Sequence, residues 1–277
     1  MSTTSLDTTA EGFIGRIGSR FKGRSGLNFA LITVVNVAVF VIVWELVATY
    51  SGIPKLFLPK ISAIASDIPQ MNAEGILLLN LWFSVKNFFI GLAVGVVIGL
   101  PLAYAIGSIK FLDRVLSPYL WALYSIPRII LLPLVLLWVG INNNARLAIV
   151  AISVLPSLAV VVMDGVKTTD ATMLRAARIF GASRWQQFLH VIVPSTIPFI
   201  GTGLRMGMLR GLIGLYIGEL FITQNGIGSI IAYASVRFRT ARVFAVLLLF
   251  VLFAVSNLAV TRAIETRLTR WRAPSGL

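Results

Sequence analysis

The chain has 277 residues, of which 57% are hydrophobic and only 12% charged, with a formal net charge of +14. Such a composition lies outside the range of soluble domains and points to a membrane protein. With no cysteine and a single histidine, His190, the chain can build neither a disulfide nor a zinc cluster nor a Ser/His/Asp triad from its own residues.

Residues 1–28 read as a basic cytoplasmic tail, with Arg16, Arg20, Lys22 and Arg24 ahead of the first apolar run, 29–48. That run is long for the core of a secretory signal and lacks a small-residue cleavage site after it, so it reads as a retained anchor. Inside the tail, 18–25 (GSRFKGRS) has the glycine spacing of a phosphate-binding loop. Arg24 stands where the lysine belongs and no apolar strand precedes it, so the stretch reads as part of a basic tail.

Segment 49–80 holds Pro54, Pro59 and Pro69, and its 61–68 part is expected to form a short helix resting on the membrane surface. Further apolar runs follow at 87–106, 115–139, 147–163, 195–222 and 243–260. Each is about long enough to cross a ~30 Å hydrocarbon layer as a helix. Six spans are therefore expected, with 76–83 either lengthening the second or forming a separate surface helix. The fold class is an all-α polytopic membrane protein. Residues 29–265 form the transmembrane domain and 266–277 a cytoplasmic C-terminal tail.

Gly91, Gly95 and Gly99 repeat every four residues, as do Gly203, Gly207 and Gly211. Small residues at this spacing let a neighbouring backbone approach closely. Packing within the chain and packing across a subunit interface both satisfy the pattern.

Charges inside apolar runs are the next signal. Arg128 falls near the middle of the third span, and Arg205, Arg210 and Glu219 fall in the fifth. A charge buried in lipid costs about 2.5–3.5 kcal/mol on insertion scales, so each needs a partner, a water-filled cavity or the interface. Arg205 and Glu219 lie about 21 Å apart along a helix axis, too far for a direct pair. Arg205 is expected to snorkel or to pair structurally; Arg128 and Arg210 are candidates for the transit route, where an arginine attracts an anion. The stretch 142–146 (NNNAR) reads as an outer turn.

Between the fourth and fifth spans, 164–194 reads DGVKTTDATMLRAARIFGASRWQQFLHVIVP. Met173, Ala177 and Phe180 share one helix side, Gly181 interrupts that helix, and Ser183 can cap a second one through Trp185 and Leu189. Pro194 is expected to close the segment. A compact, glycine-hinged pair of short helices results, and its bland counterpart is an amphipathic loop lying on headgroups.

Lys110, Arg114, Lys167, Arg175, Arg178 and Arg184 join both tails on one side of the predicted topology. Lys55, Lys60, Arg146, Arg237, Arg239 and Arg242 fall on the other. The bias favours cytoplasmic termini and a cytoplasmic 164–194 loop. Lipid contact absorbs most of the net charge, and the scattered basic residues form no platform for nucleic acid.

The loop resembles the cytoplasmic signature of ABC importer permeases: Glu-Ala-Ala, three residues, Gly, nine residues, then Ile-x-Leu-Pro. Here Arg175, Ala176 and Ala177 are followed by Gly181, Ala182 and Ser183, and after nine residues from the glycine by Val191, Ile192, Val193 and Pro194. The nitrate, sulfonate and taurine branch is similar at Leu58-Pro59, Gly99-Leu100-Pro101-Leu102, Pro127 with Pro133, Trp138-Val139-Gly140-Ile141, and Thr202-Gly203-Leu204-Arg205. The resemblance covers roughly residues 58–272.

That likeness implies a type I importer permease fold with a helix-turn-helix coupling loop. It also implies two cytoplasmic ATPase subunits, which bind the ATP and magnesium this chain does not, an external solute-binding protein and a second permease copy. The solute would be a small anion such as nitrate, bicarbonate, a sulfonate or an organic acid, though some relatives carry vitamin precursors. Arg175 departs from the signature's glutamate and inverts the charge there. The alternative is an ion-coupled secondary transporter using Arg128, Arg210 and Glu219. It calls for an internal repeat of broken spans, which the sequence does not display.

Overall fold

The computed structural model describes residues 26–222 and 225–268, and all regular structure among them is helical. The phosphate-loop-like run at 18–25 and the ends of both tails lie outside the described residues. The helices are α1 (Gly26–Tyr50), α2 (Ile61–Ala73), α3 (Ile76–Ser108), α4 (Lys110–Ser125), α5 (Arg128–Val139), α6 (Asn143–Lys167), α7 (Ala171–Ile179), α8 (Arg184–Gln187), α9 (Val193–Phe221), α10 (Ile227–Val236) and α11 (Thr240–Leu268). A π-helical turn, Phe188–Ile192, joins α8 to α9 into one 38-residue helix.

Five helices are long and apolar enough to cross a membrane, or six if the bent pair α4 and α5 forms one crossing. The chain divides into two units, at Met1–Ala63 and Ile64–Leu277. In the first, Trp44 Nε1 donates to the Pro59 carbonyl at 3.0 Å, and Glu45 accepts the Ser62 hydroxyl at 2.7 Å. The one acid of the first apolar run is thereby partnered.

The second unit is built around α6, the span with the largest buried share. Its valines and leucines enter notches that the two glycine series cut into α3 and α9. A methyl group placed on Gly91 would fall 2.6 Å from Val150 Cβ, and one on Gly95 2.8 Å from Val154 Cβ. From the opposite side, one on Gly211 would fall 2.8 Å from Val154 Cγ2. Leu158 is held in the same way between Gly99 and Gly203. Of the two readings left open, both series serve packing within the chain, and they serve the same helix.

Three expectations about the spans are corrected. Residues 115–139 are not one helix: α4 and α5 meet at a bend of 105°. Pro127 has no N–H and disfavours helical backbone at Ile126, which is extended with ψ 127°. Arg128 therefore sits at the break, on the first turn of α5. Secondly, Pro194 does not close the loop. The helix runs through it because the π-turn widens just ahead, with Val193 N–H reaching the Phe188 carbonyl.

Thirdly, the expected surface helix at 61–68 extends to Ala73 and does not rest on lipid alone. Ile64 and Met71 are buried against α10 and α11 together with Ile227, Ile230, Ile231, Ala245 and Val246. Asp67 and Glu74 both bind Arg242, at 3.0 and 2.8 Å, which fastens α2 and the turn after it to α11. Residues 76–83 lengthen the second span, so α3 reaches 33 residues, about 50 Å and longer than the hydrocarbon layer is thick.

Candidate functional site: a helical knob and four charges in the spans

The 164–194 segment folds from local rules. Asp170 caps α7 by accepting Thr172 N–H at 2.6 Å. At the other end, Gly181 N–H bonds the Arg178 carbonyl and Ala182 N–H the Ala177 carbonyl, both at 3.0 Å. This paired closure is a Schellman stop, and it requires the left-handed φ of +81° that Gly181 adopts. Ser183 then opens α8 with a reciprocal capping box: its hydroxyl accepts Gln186 N–H at 3.3 Å, and its own N–H reaches Gln186 Oε1 at 2.8 Å. Ala177, Gly181, Ala182 and Ser183 are thus the turn itself. The glycine hinge and the serine cap stand where the sequence places them.

No residue of α7 is buried. Arg175 and Ala176 are exposed, and Ile179, Phe180 and Trp185 present 84%, 90% and 66% of their surface. Both roots of the knob are fastened. Lys167 pairs with Asp113 at 2.6 Å, and the Thr169 and Ser195 hydroxyls meet at 3.1 Å. Gly165 of α6 lies so close to α9 that a methyl there would fall 2.7 Å from Phe199 Cβ. Displacing α7 must therefore move α6 and α9, the two most intimately packed spans.

The four singled-out charges do not form one cluster. Arg205 pairs with Glu265 of α11 at 3.3 Å, so structural pairing accounts for it. Glu219 is fully buried and accepts Ser84 Oγ at 2.6 Å and Gly228 N–H at 3.0 Å. Arg128 is also buried; its Nη1 donates to the carbonyls of Tyr124 and Ile126, at 3.0 and 3.3 Å, covering orphan acceptors at the end of α4. Arg210 is half-buried. The guanidinium carbons of Arg128 and Arg210 both lie over the Tyr124 ring, 5.9 and 5.5 Å from its centroid.

Sequence reasoning missed Arg146. The 142–146 stretch is not an outer turn but the start of α6, with the Asn142 side chain accepting Ala145 N–H as its cap. Arg146 is 1% exposed, donates to the Ile222 carbonyl at 2.6 Å and lies over Phe83. It, rather than Arg205, is the cation near enough to act on Glu219 through space. Asn142 as a cap was the available signal, since it places Arg146 in the first turn of a helix. Ser84, Asn80 and the short helix α10 were missed too; Asn80 and Ser84 hold the Gly226 and Ile227 amides at 2.7 and 2.9 Å.

Residues 91–270 match the family of binding-protein-dependent transport system inner membrane components. The taurine transport system permease protein TauC of Escherichia coli K12 is 30% identical over 245 residues, covering 87% of this chain and 89% of that one. The putative aliphatic sulfonates transport permease protein SsuC of Bacillus subtilis 168 is 25% identical over 235 residues, covering 85% of each. An inward-facing structure of the MetNI methionine ABC transporter matches the fold with a TM-score of 0.63 at 20% identity, over 72% of this chain and 98% of that one.

The chain therefore belongs to the binding-protein-dependent transport system inner membrane component family. It is a multi-pass inner-membrane permease of an ABC importer, a system that includes an ATPase and a binding protein, and the ion-coupled carrier alternative falls away.

Proposed function

We propose that this permease forms the route for a small sulfonate or comparable oxyanion, and that the knob at 164–194 is the grip by which ATPase subunits drive it. The carrying observation is an exposed helix, α7, rooted at both ends in the glycine-packed spans α6 and α9. A rigid attachment of that kind passes a displacement on. Each nucleotide state of the ATPases then favours one permease state, as any switch requires.

Ile179, Phe180 and Trp185 supply the apolar contact, and Arg175 meets an acidic group on the ATPase in place of the signature's glutamate. Two permease copies and two ATPases make up the assembly. ATP and magnesium are bound on the ATPases, and both termini face the cytoplasm. The anionic solute is supported by the taurine and sulfonate relatives and by the cations buried in the spans.

The test is co-purification of the ATPase with the permease, and uptake in proteoliposomes. Phe180→Asp leaves the fold unchanged, because the side chain contacts little, and lowers both ATPase recovery and uptake at least tenfold. Gly181→Val distorts the Schellman turn and does the same. Full recovery and uptake in both variants would remove the grip from this reading.

A further inference from the structure

Of the four charges that the sequence places inside the third and fifth spans, two are accounted for and two are not. Arg205 has Glu265, and Glu219 has Ser84, Gly228 and the nearby Arg146. Arg128 and Arg210 have no carboxylate partner among the described residues. Arg128 is only 7% exposed, and its Nη2 is buried without a hydrogen bond, although Nη1 is fully used. Arg210 approaches from α9, its guanidinium carbon 5.5 Å from the centroid of the same ring.

Two like charges held over one ring repel each other, and the more so where little water screens them. An idle donor on a buried guanidinium adds a desolvation cost. A single oxyanion removes both penalties: it neutralises the pair and accepts the free Nη2–H. The backbone points the same way. α4 and α5 break at Ile126–Pro127, and non-helical chain at membrane depth is tolerated where it is packed in protein or lines a water-filled cavity. Broken helices of this kind mark solute sites in other transporters.

We infer that Arg128 and Arg210, arranged around Tyr124 at the α4–α5 break, form a transient binding site for the sulfonate or similar oxyanion of the transported solute. The site rests on the proposed route for an anionic solute and names the side chains that touch it. Arg128 supplies a fixed donor held by the carbonyls of α4. Arg210, half-buried and bonded to no carbonyl, supplies the adjustable one.

The experiment uses the assembled transporter with its ATPase and binding protein in proteoliposomes, offered radiolabelled taurine, methanesulfonate and nitrate in turn. Arg128 also caps α4, so the deciding variant is Arg210→Gln, with Arg210→Lys as the conservative one. Arg210→Gln lowers maximal uptake at least tenfold with little change in the half-saturating concentration, which the binding protein sets. ATP hydrolysis without solute stays within twofold of wild type, and Arg210→Lys recovers part of the uptake.

Wild-type uptake of an oxyanion with Arg210→Gln equally active overturns this site alone. Absence of oxyanion uptake by the wild type overturns the site together with the solute class it rests on. The assays are run in phosphatidylcholine vesicles and in vesicles with added phosphatidylglycerol. An effect of Arg210→Gln confined to the latter assigns the cations to a lipid headgroup and overturns the site as well.

Discussion

Asp170 shows how far single residues determine the knob. Its carboxylate is held below the usual carboxylate range, chiefly by the Thr172 backbone N–H, then by the Thr172 hydroxyl, with Arg175 adding a smaller attraction. A lowered folded value means that the stabilisation is present above the ordinary pKa of about 4 and is lost as pH falls through the folded one. The protection of amides 171–175 against hydrogen exchange, relative to their intrinsic rates, is therefore expected to fall in acid, below about pH 4. In Asp170→Asn, which still caps but does not titrate, the acid step disappears; an identical step in that variant would exclude Asp170 as its cause. At this scale the sequence was highly legible. Gly181 and Ser183 carry their roles in short-range chemistry, where a left-handed turn and a capping box need only a few neighbours. Arg146 was not legible, because its burial depends on Ile222 and Phe83, which lie far from it in the chain.

Between elements, the deciding contact is glycine against β-branched side chain. Val154 is pinched between Gly95 on α3 and Gly211 on α9, and Gly211 would bring a new methyl within 2.8 Å of Val154 Cγ2. Gly211→Ala should destabilise the permease by about 1–3 kcal/mol through overpacking. Val154→Ala removes the opposing methyl, so the double variant should recover a large part of that loss, as read by thermal unfolding in detergent. Strict additivity of the two changes would show that the notch is not the point of strain. The four-residue glycine period announced close approach, yet nothing in it said whether the neighbour belonged to the same chain. The α4–α5 break escaped for a related reason: 115–139 holds three prolines, Pro118, Pro127 and Pro133, and nothing local says that only Pro127 stops the helix. Helix α10 escaped because ten residues are too few to cross a membrane, so a search for spans passes over it.

For the molecule as a whole, contacts join segments that the charge bias assigns to a common side. Lys167 reaches Asp113 at one end of the spans; Arg242 reaches Asp67 and Glu74 at the other. A chain without cysteine allows a direct test of which end faces the cytoplasm. A cysteine replacing exposed Arg178 should resist a membrane-impermeant thiol reagent in intact cells, and one replacing exposed Arg237 should react. The reverse pattern would invert the topology. A count of five or six spans and the place of the knob between two of them were readable because hydrophobic length is a summed property. The order of packing around α6 was not, since it arises from pairs of faces meeting at a distance. The five-residue turn ahead of Pro194 holds one residue more than an α-helical path would. Everything beyond it is advanced by about 100° and 1.5 Å. That surplus residue sets the compass bearing of Phe180 relative to the membrane helices. Under the proposed coupling, deleting Leu189 would keep Ile179, Phe180 and Trp185 yet turn them to a different azimuth about α9, and ATPase recovery should fall with it.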